Sequence, residues 1–236
     1  MKNEFQNLRK ALKQKSSKEQ ANILQRFFKT GPGEYGEGDI FIGLKVPQIR
    51  ETVKEFSEIR LGDIQKLVSS NIHEERLTGL LILVSQYKKG SEAEKEKIFK
   101  FYLRNTKNMN NWDLIDLTAE HIVGAFLSER DRSILFNLAQ STSLWERRIS
   151  MLSCFHYIKQ NSFETALQVA QILLNDRHDL IHKAVGWMLR EIGKRNLQVE
   201  ETFLKKYYKQ MPRTMLRYAI EKFPDRKRLA YLKGKI

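Results

Sequence analysis

A tryptophan and an aspartate at helical spacing are the first residues that could share a chemical task. Trp112 and Asp116 are four residues apart, so both side chains project from one face if the segment is a helix. Asp113 points elsewhere and can complement the positive end of the helix dipole. Asp116 lies beyond the first turn, so the dipole explains it less well. The alternative interpretation is that Asp116 forms a structural salt bridge with a basic residue elsewhere in the chain.

A second tryptophan stands in the middle of a basic stripe. In the segment 179–194, one helix face carries residues at i, i+4, i+7 and i+11, namely Lys183, Trp187, Arg190 and Lys194. This combination suits contact with a phosphate backbone and with a flat or cationic group. In the alternative interpretation, Trp187 packs against a neighbouring helix and the cations are merely solvated.

One arginine lies about one predicted repeat length from each of the two tryptophans. Arg148 lies 36 residues after Trp112 and 39 residues before Trp187. In an array of two-helix repeats, a step of this length moves one repeat along the same surface. We therefore expect these residues and Asp116 to line one surface, where a carboxylate is flanked by two indoles and rimmed by cations.

The elements that must position these residues are helices, because helical periodicity dominates and no stretch of sustained two-residue alternation indicates a sheet. The predicted helices cover approximately 4–15, 18–29, 47–58, 63–70, 73–89, 92–105, 111–127, 130–140, 144–160, 163–174, 179–194, 199–210, 213–223 and 225–233. Long helices begin near positions 73, 111, 144 and 179, at intervals of 38, 33 and 35 residues, near the low end of the HEAT and armadillo class.

These intervals predict an all-α fold, a superhelical array of HEAT-like antiparallel helix pairs with a concave basic groove. Residues 1–236 are expected to form a single domain of this kind. A compact helical bundle is the alternative. Helix starts are indicated by capping boxes at Ser91–Glu94 and Ser143–Glu146, and by single caps at Ser162 and within Asn110–Asn111. The glycine-rich segment 30–45 predicts a structured loop.

The charge balance favours a polyanionic partner. The chain has 42 Lys and Arg residues against 28 Asp and Glu residues, which gives a formal net charge of +14 and a pI near 9.8. A field of this sign attracts nucleic acid, acidic proteins and anionic membranes.

Several classes of protein are excluded or disfavoured. A single cysteine, Cys154, excludes a disulfide framework. The chain shows no secretory leader and no run near the ~18 apolar residues of a membrane span. His178 and His182 are four residues apart, but no third metal ligand is apparent, and no phosphate-binding glycine fingerprint is present. We therefore expect a soluble, intracellular protein without a metal or cofactor.

Three segments give the chain a resemblance to a known family. They are Asn111-Trp112-Asp113-Leu114-Ile115-Asp116, Trp145-Glu146-Arg147-Arg148 and Lys183-Ala184-Val185-Gly186-Trp187-Met188-Leu189-Arg190-Glu191. On these segments the chain resembles the AlkD-type DNA alkylpurine glycosylases, which are built from HEAT-like helical repeats. It departs from the family pattern at Asn111, where some members have another tryptophan, and in the loop 30–45, which is longer than in the best-known members.

The resemblance implies a role for each matching residue. Asp116 corresponds to the catalytic carboxylate, Trp112 and Trp187 to the aromatic pair that lines the cleft, and Arg148 to the arginine that holds the DNA backbone. The resemblance implies further DNA contacts for Arg190, Lys45, Arg50 and the aromatic residue Phe27. From their residue type and position we also expect Lys183, Lys194 and Arg147 to contact DNA.

The activity implied by the resemblance is hydrolysis of the N-glycosidic bond of cationic N3- or N7-alkylated purines, such as 3-methyladenine and 7-methylguanine, in duplex DNA. It implies base excision without base flipping, without a cofactor or metal, by a monomer that is cytoplasmic and associates with the nucleoid. One alternative is a non-catalytic relative that binds branched or bent DNA. Another is a helical-repeat scaffold that binds proteins.

Overall fold

The fold is all-α, as the periodicity predicts. The computed structural model describes residues 4–236, and within that range the only extended pairing is an isolated parallel bridge between Ile40 and Ile72. The chain folds as two compact units, the first ending at Thr118 and the second beginning at Ala119. None of the helices described is long and apolar enough to cross a membrane.

The first unit is built around one long, buried helix. Its helices are α1 (Glu4–Gln14), α2 (Lys18–Phe27), α3 (Val46–Glu55), α4 (Leu61–Val68), α5 (His73–Lys89), α6 (Glu92–Arg104) and α7 (Trp112–Asp116), with a 3-10 turn at Thr106–Asn108. Helix α5 is buried along most of its length and packs against α3, α4, α6 and α7. Its position at the centre of this unit explains why its first turn can carry buried polar groups.

The glycine-rich segment forms a structured loop that is tied to the start of α5. The Glu74 carboxylate accepts hydrogen bonds from the backbone amides of Ile42, Gly43 and Leu44. Gly43 has φ +88°, and a Cβ at this position would collide with the backbone carbonyl of Ser17. Only glycine fits here, so the loop is held against both α2 and α5.

The second unit consists of shorter helices packed around α12. Its elements are a π-helical turn (Glu120–Gly124), α8 (Ser133–Ala139), α9 (Leu144–Ser153), α10 (Phe155–Lys159), α11 (Glu164–Ile172), α12 (Asp179–Gly193), α13 (Leu197–Tyr207), α14 (Arg213–Ala219), a 3-10 turn (Ile220–Lys222) and α15 (Asp225–Leu232). Helix α12 packs against α9, α13 and most extensively α14. Gly186 permits that last contact, since a Cβ there would meet the carbonyl of Met215.

The helix predicted at 111–127 is wrong as a continuous element. Helix α7 ends at Asp116, and a π-helical turn follows at Glu120–Gly124. The Thr118 hydroxyl donates to the Leu114 carbonyl, a local bond of the kind that competes with regular helix continuation. The helix predicted at 144–160 is likewise divided, at Cys154, and the one predicted at 213–223 ends at Ala219.

Most of the predicted caps are confirmed. Ser91–Glu94 forms a complete capping box, and Asn111 accepts the amide of the next residue at the start of α7. In Ser143–Glu146 the serine hydroxyl accepts the glutamate amide. The cap predicted at Ser162 is wrong, because α11 begins after Phe163 and the Ser162 amide instead closes the preceding turn.

Candidate functional site

Helix α7 presents Trp112 and Asp116 on one face. Their spacing places both side chains on the same side of this single turn, and both are partly exposed. Asp116 also lies near the buried Tyr102 hydroxyl: burial raises the pKa of Tyr102 first, and the Asp116 charge raises it further. The segment is helical, as the spacing argument requires, and the roles of the indole and the carboxylate on this face stay predictions.

Aromatic contacts hold Trp112 without burying it. Its ring stacks on the buried Phe28 with centroids 5.2 Å apart, and it meets the edge of Phe27 at 6.0 Å. Phe27 is 61% exposed at the end of α2. The predicted DNA contact of Phe27 therefore belongs to a residue that lies directly beside Trp112, where the two rings together form an exposed aromatic surface.

The neighbouring carboxylate, Asp113, has the opposite environment. It is buried, its Oδ2 lies 2.8 Å from His73 Nε2, and its Oδ1 accepts the Leu114 amide. Asp113 thus points away from the exposed face, as the sequence predicted, but its main partner is a buried histidine. Of the two acidic residues on this turn, only Asp116 shares the exposed face with Trp112.

A cluster of buried charges lies beneath α7. His73 Nδ1 lies 3.2 Å from the Asp39 carboxylate. Arg76 forms an ion pair with the same carboxylate at 2.7 Å, and the Asn110 side-chain amide donates a hydrogen bond to it at 2.6 Å. Burial alone would lower the pKa of His73, but the charge and hydrogen bond of Asp113, with the hydrogen bond of Asp39, raise it to about 9. Burial would raise the pKa of Asp39, yet its hydrogen bonds and the Arg76 charge hold it below its ordinary value.

Sequence reasoning missed this cluster. Asp39 and Asp113 lie 34 and 40 residues from His73, so no local spacing connects them. The available signal was the polar run 73–76, which stands directly before the largely apolar stretch 77–84 of the same helix. Charged residues on such a helix must find buried partners.

In the second unit, α12 carries the predicted basic stripe, and each cation of the stripe has an acidic neighbour. Lys183 pairs with Asp179 at 2.6 Å, Lys194 with Glu191 at 2.6 Å, and Arg190 with Glu221. A phosphate that bound these cations would compete with those carboxylates. Trp187 lies on the same helix, partly exposed, with the ring of Phe155 at 5.8 Å.

The two arginines of α9 are held in the second unit close to the start of α12. Arg148 is only 4% exposed and donates to the Leu180 carbonyl at 2.5 Å. Arg147 pairs with Asp176 at 2.6 Å and donates to the carbonyls of Ser141 and Thr142. The structure therefore gives both residues a role in fixing the segment before α12. Their predicted phosphate contacts stay predictions.

Lys45 and Arg50 are both exposed on α3, with Lys45 at its N-terminal end. They are accessible to a polyanion, and their predicted role is untested. Among residues 4–236, no three His, Cys, Asp or Glu side chains are grouped as metal ligands would be. His178 instead caps α12, and His182 bonds to the Asp176 carbonyl.

Comparison with known proteins gives a consistent result. A family model described as "DNA alkylation repair enzyme" matches residues 8–223, which is most of the chain. A solved structure described as a predicted DNA alkylation repair enzyme from Enterococcus faecalis is similar in fold, with a TM-score of 0.67 and 14% sequence identity. The similarity covers 89% of this chain and 98% of that one. Comparison with curated proteins gives no match.

Proposed function

Since the chain belongs to the family of DNA alkylation repair enzymes, we propose that it is a DNA glycosylase. Its substrates in this proposal are cationic N3- and N7-alkylated purines in duplex DNA, such as 3-methyladenine and 7-methylguanine. The reaction is hydrolysis of the N-glycosidic bond, and DNA repair of this kind would place the protein with the nucleoid when it is bound.

The chemistry of the substrate defines what the protein must supply. Alkylation at N3 or N7 makes the purine cationic, so the base leaves as a neutral group without protonation. The free-energy cost lies in the sugar, which becomes an oxocarbenium-like cation in the transition state. A fixed carboxylate stabilises that charge and can orient water for attack. Indole faces add cation–π attraction of about 0.5–2 kcal/mol each.

The observation that carries the proposal is the contrast between the two aspartates of α7. Asp113 is buried and bonded to His73, while Asp116 is partly exposed on the same face as Trp112. A carboxylate that only stabilised the helix would have no need of an indole beside it. We therefore assign Asp116 the catalytic carboxylate role, and Trp112 the role of an aromatic contact to the cationic nucleotide.

For the second unit we propose DNA contacts that follow from residue type and exposure. Trp187 is a partly exposed indole on a basic helix face, and it would supply the second aromatic contact. Lys183, Arg190 and Lys194 would bind phosphates by exchanging their present carboxylate partners for DNA oxygens. Arg148 would support the same contacts, through the turn of α12 to which it is bonded.

We further propose that the lesion is processed without extrusion of the base. The protein then contacts the sugar and the DNA backbone instead of the base, and the rate of base release depends on the positive charge of the lesion. Cationic 7-methylguanine should be released, while a neutral lesion such as hypoxanthine should not.

The test is a base-release assay with a matched control. Methylated duplex DNA is incubated with the protein, and free 7-methylguanine and 3-methyladenine are measured against spontaneous loss. Asp116→Asn should slow release about 100-fold or more, the range seen when one electrostatic stabiliser is removed. The control is Asp63→Asn, which makes the same chemical change on α4, where Asp63 pairs with Lys66, and it should retain full activity.

Two results would overturn the proposal. One is wild-type release no faster than the spontaneous rate. The other is an equal loss of activity in the two Asn variants. Tight, salt-sensitive binding to branched or bent DNA without base release would instead indicate a non-catalytic member of the family.

A further inference from the structure

Helix α7 is too short to hold its own side chains in a fixed direction. It contains five residues, and isolated helices shorter than ~12 residues are not stable in water. The orientation of Trp112 and Asp116 must therefore come from contacts between α7 and the rest of the first unit. One of these contacts is the buried polar contact between Asp113 and His73, at 2.8 Å.

We infer that His73 is a positioning residue for Asp116. Its imidazole bridges Asp113 on α7 and Asp39 on the glycine-rich loop, and so fixes the rotation of α7 about its axis. This inference rests on the proposed catalytic role of Asp116, because it explains how that carboxylate is aimed.

The geometry of Asp113 makes it an effective anchor. One carboxylate oxygen contacts His73 and the other accepts the Leu114 amide within the same turn, so the side chain cannot turn independently of the backbone. Asp113 and Asp116 have fixed angular positions on the same helical turn, because successive residues are offset by about 100°, so a rotation of α7 about its axis moves both side chains. A rotation by ~20° would move the tip of Asp116 by about 2 Å, well beyond the ~0.5 Å tolerance of a catalytic group.

Charge balance explains why the bridging residue is a histidine. The groups that face His73 are Asp113 from α7, Asp39 from the loop and Arg76 from α5, while the Phe41 ring stacks on the imidazole and the Phe28 ring lies tilted beside it. Two carboxylates and one arginine leave one negative charge, which a protonated imidazole neutralises. Only the protonated form donates from both ring nitrogens, and therefore to both carboxylates.

The same cluster would stabilise the fold even if it had no effect on Asp116, so the test must separate the two roles. The wild-type protein supplies the first readout. The imidazole 15N shifts of the five histidines are followed by NMR from pH 5 to pH 10, and His73 should stay protonated until about pH 9. The turnover rate at saturating DNA should fall with the same midpoint, while the dissociation constant for DNA changes little across that range.

A variant and a matched control supply the second readout. His73→Asn should reduce the turnover rate about 10- to 100-fold, as expected for a catalytic group displaced by ~1 Å, and should remove the dependence on pH near 9. Glu75 lies on the same helix as His73, and Glu75→Gln breaks its ion pair with Arg9 of α1, a contact that involves no residue of α7. It should lower the melting temperature but leave the turnover rate unchanged.

A double variant tests whether the effect passes through Asp113. If it does, His73→Asn combined with Asp113→Asn should be no slower than the more impaired single variant, since both changes break one contact. Effects that multiply would overturn the inference, as would equal loss of turnover in His73→Asn and Glu75→Gln.

The outcome for positioning is separable from the outcome for the proposed activity. A chain that keeps Trp112 as its single tryptophan, through Trp145→Phe and Trp187→Phe, reports on α7 by fluorescence without any substrate. Its emission should change with a midpoint near pH 9 and should not change in the His73→Asn background. If the wild-type protein releases no base, the proposed activity fails while this readout still decides the inference. A fluorescence signal indifferent to His73 would refute it.

Discussion

The charge cluster beneath α7 in the first unit and Glu200 in the second unit are two opposite examples of how an ionisable group is buried. Beneath α7, four charged side chains compensate one another, and His73 is bonded on both sides. Against the end of α12, Glu200 is buried with one carboxylate oxygen that has no hydrogen-bond partner among the residues described. A Cβ at Gly193 would collide with this carboxyl group, so Glu200 is packed tightly against the backbone of α12.

The pKa values reflect this difference. In the first unit, the partners of His73 outweigh its burial and keep it charged, with a pKa of about 9. In the second unit, burial and the neighbouring charge of Glu201 raise the pKa of Glu200 to about 8, against the opposing effect of Arg190 and Lys227, so it is neutral at pH 7. The short helix that carries a proposed catalytic group is therefore contacted by paired charges, whereas the long helix α12 packs against α9, α13 and α14 and has a neutral acid buried against its end.

The largest change in the free energy of unfolding should come from removing one of the paired charges beneath α7. Arg76→Met removes the partner of Asp39 at 2.7 Å and leaves a buried carboxylate under-compensated, which typically costs about 3–5 kcal/mol. Glu221→Gln removes the half-exposed partner of Arg190 in the second unit and should cost less than about 1 kcal/mol. Urea unfolding monitored by circular dichroism gives both values. Equal losses would show that the first cluster is no more than an ordinary set of surface ion pairs.

A smaller effect is expected from the pH dependence of Glu200. Below pH 4.5 the carboxyl is protonated in both the folded and the unfolded chain, so it contributes no difference. Between pH 4.5 and pH 8 only the unfolded chain ionises it, so folding stability falls as the pH rises through this window. Glu200→Gln should abolish that loss and raise the melting temperature at pH 8 by roughly 3–8 °C, a gain of about 1–3 kcal/mol.

The measurement needs a reference at low pH, where Glu200→Gln and the wild-type protein should melt within about 2 °C of each other, since the wild-type carboxyl is then neutral as well. Glu164→Gln serves as a second reference, because it makes the same chemical change elsewhere in the second unit, at a residue that is exposed in the first turn of α11. That variant should not gain stability at pH 8. A Glu200→Gln protein that is destabilised at every pH would show that the buried carboxyl is ionised and paired.

The fold was predictable from sequence wherever the information is local. Helix α5 spans the predicted residues 73–89, and the Ser91–Glu94 box marks the start of α6, because periodicity and caps depend on residues within one or two turns. The break after Asp116 was not predictable. It depends on a threonine hydroxyl that bonds back to the helix and on Gly124, where a Cβ would meet the Ser153 carbonyl.

The candidate site was likewise predictable only where it depends on local spacing. The shared face of Trp112 and Asp116 follows from a spacing of four residues, because the segment is helical in α7. The support for that face could not be predicted, because Asp39 and His73 meet Asp113 only through the tertiary fold. The sequence thus indicates which side chains share a helix face more readily than which side chains support that face.

The smallest predicted effect concerns the two tryptophans. It tests whether the His73 cluster affects the contribution of Trp112 to base release but not that of Trp187. Trp112→Ala and Trp187→Ala should each slow base release about 2- to 30-fold, the range that corresponds to a lost cation–π contact of about 0.5–2 kcal/mol. The two should differ in their dependence on His73. The hydrogen bonds of His73 run to Asp113 and Asp39, so its loss disturbs the helix that carries Trp112.

In the His73→Asn background, Trp112→Ala should therefore slow release less than it does in the wild-type protein, because the indole is already misplaced. Trp187→Ala should slow release by the same factor in both backgrounds, since the fifteen-residue helix α12 holds it by backbone hydrogen bonds and packing. The three single variants and the two double variants are compared with the wild-type protein by their release rates on methylated duplex DNA. If both tryptophans were equally independent of His73, the buried cluster would support the first unit as a whole and not α7 in particular.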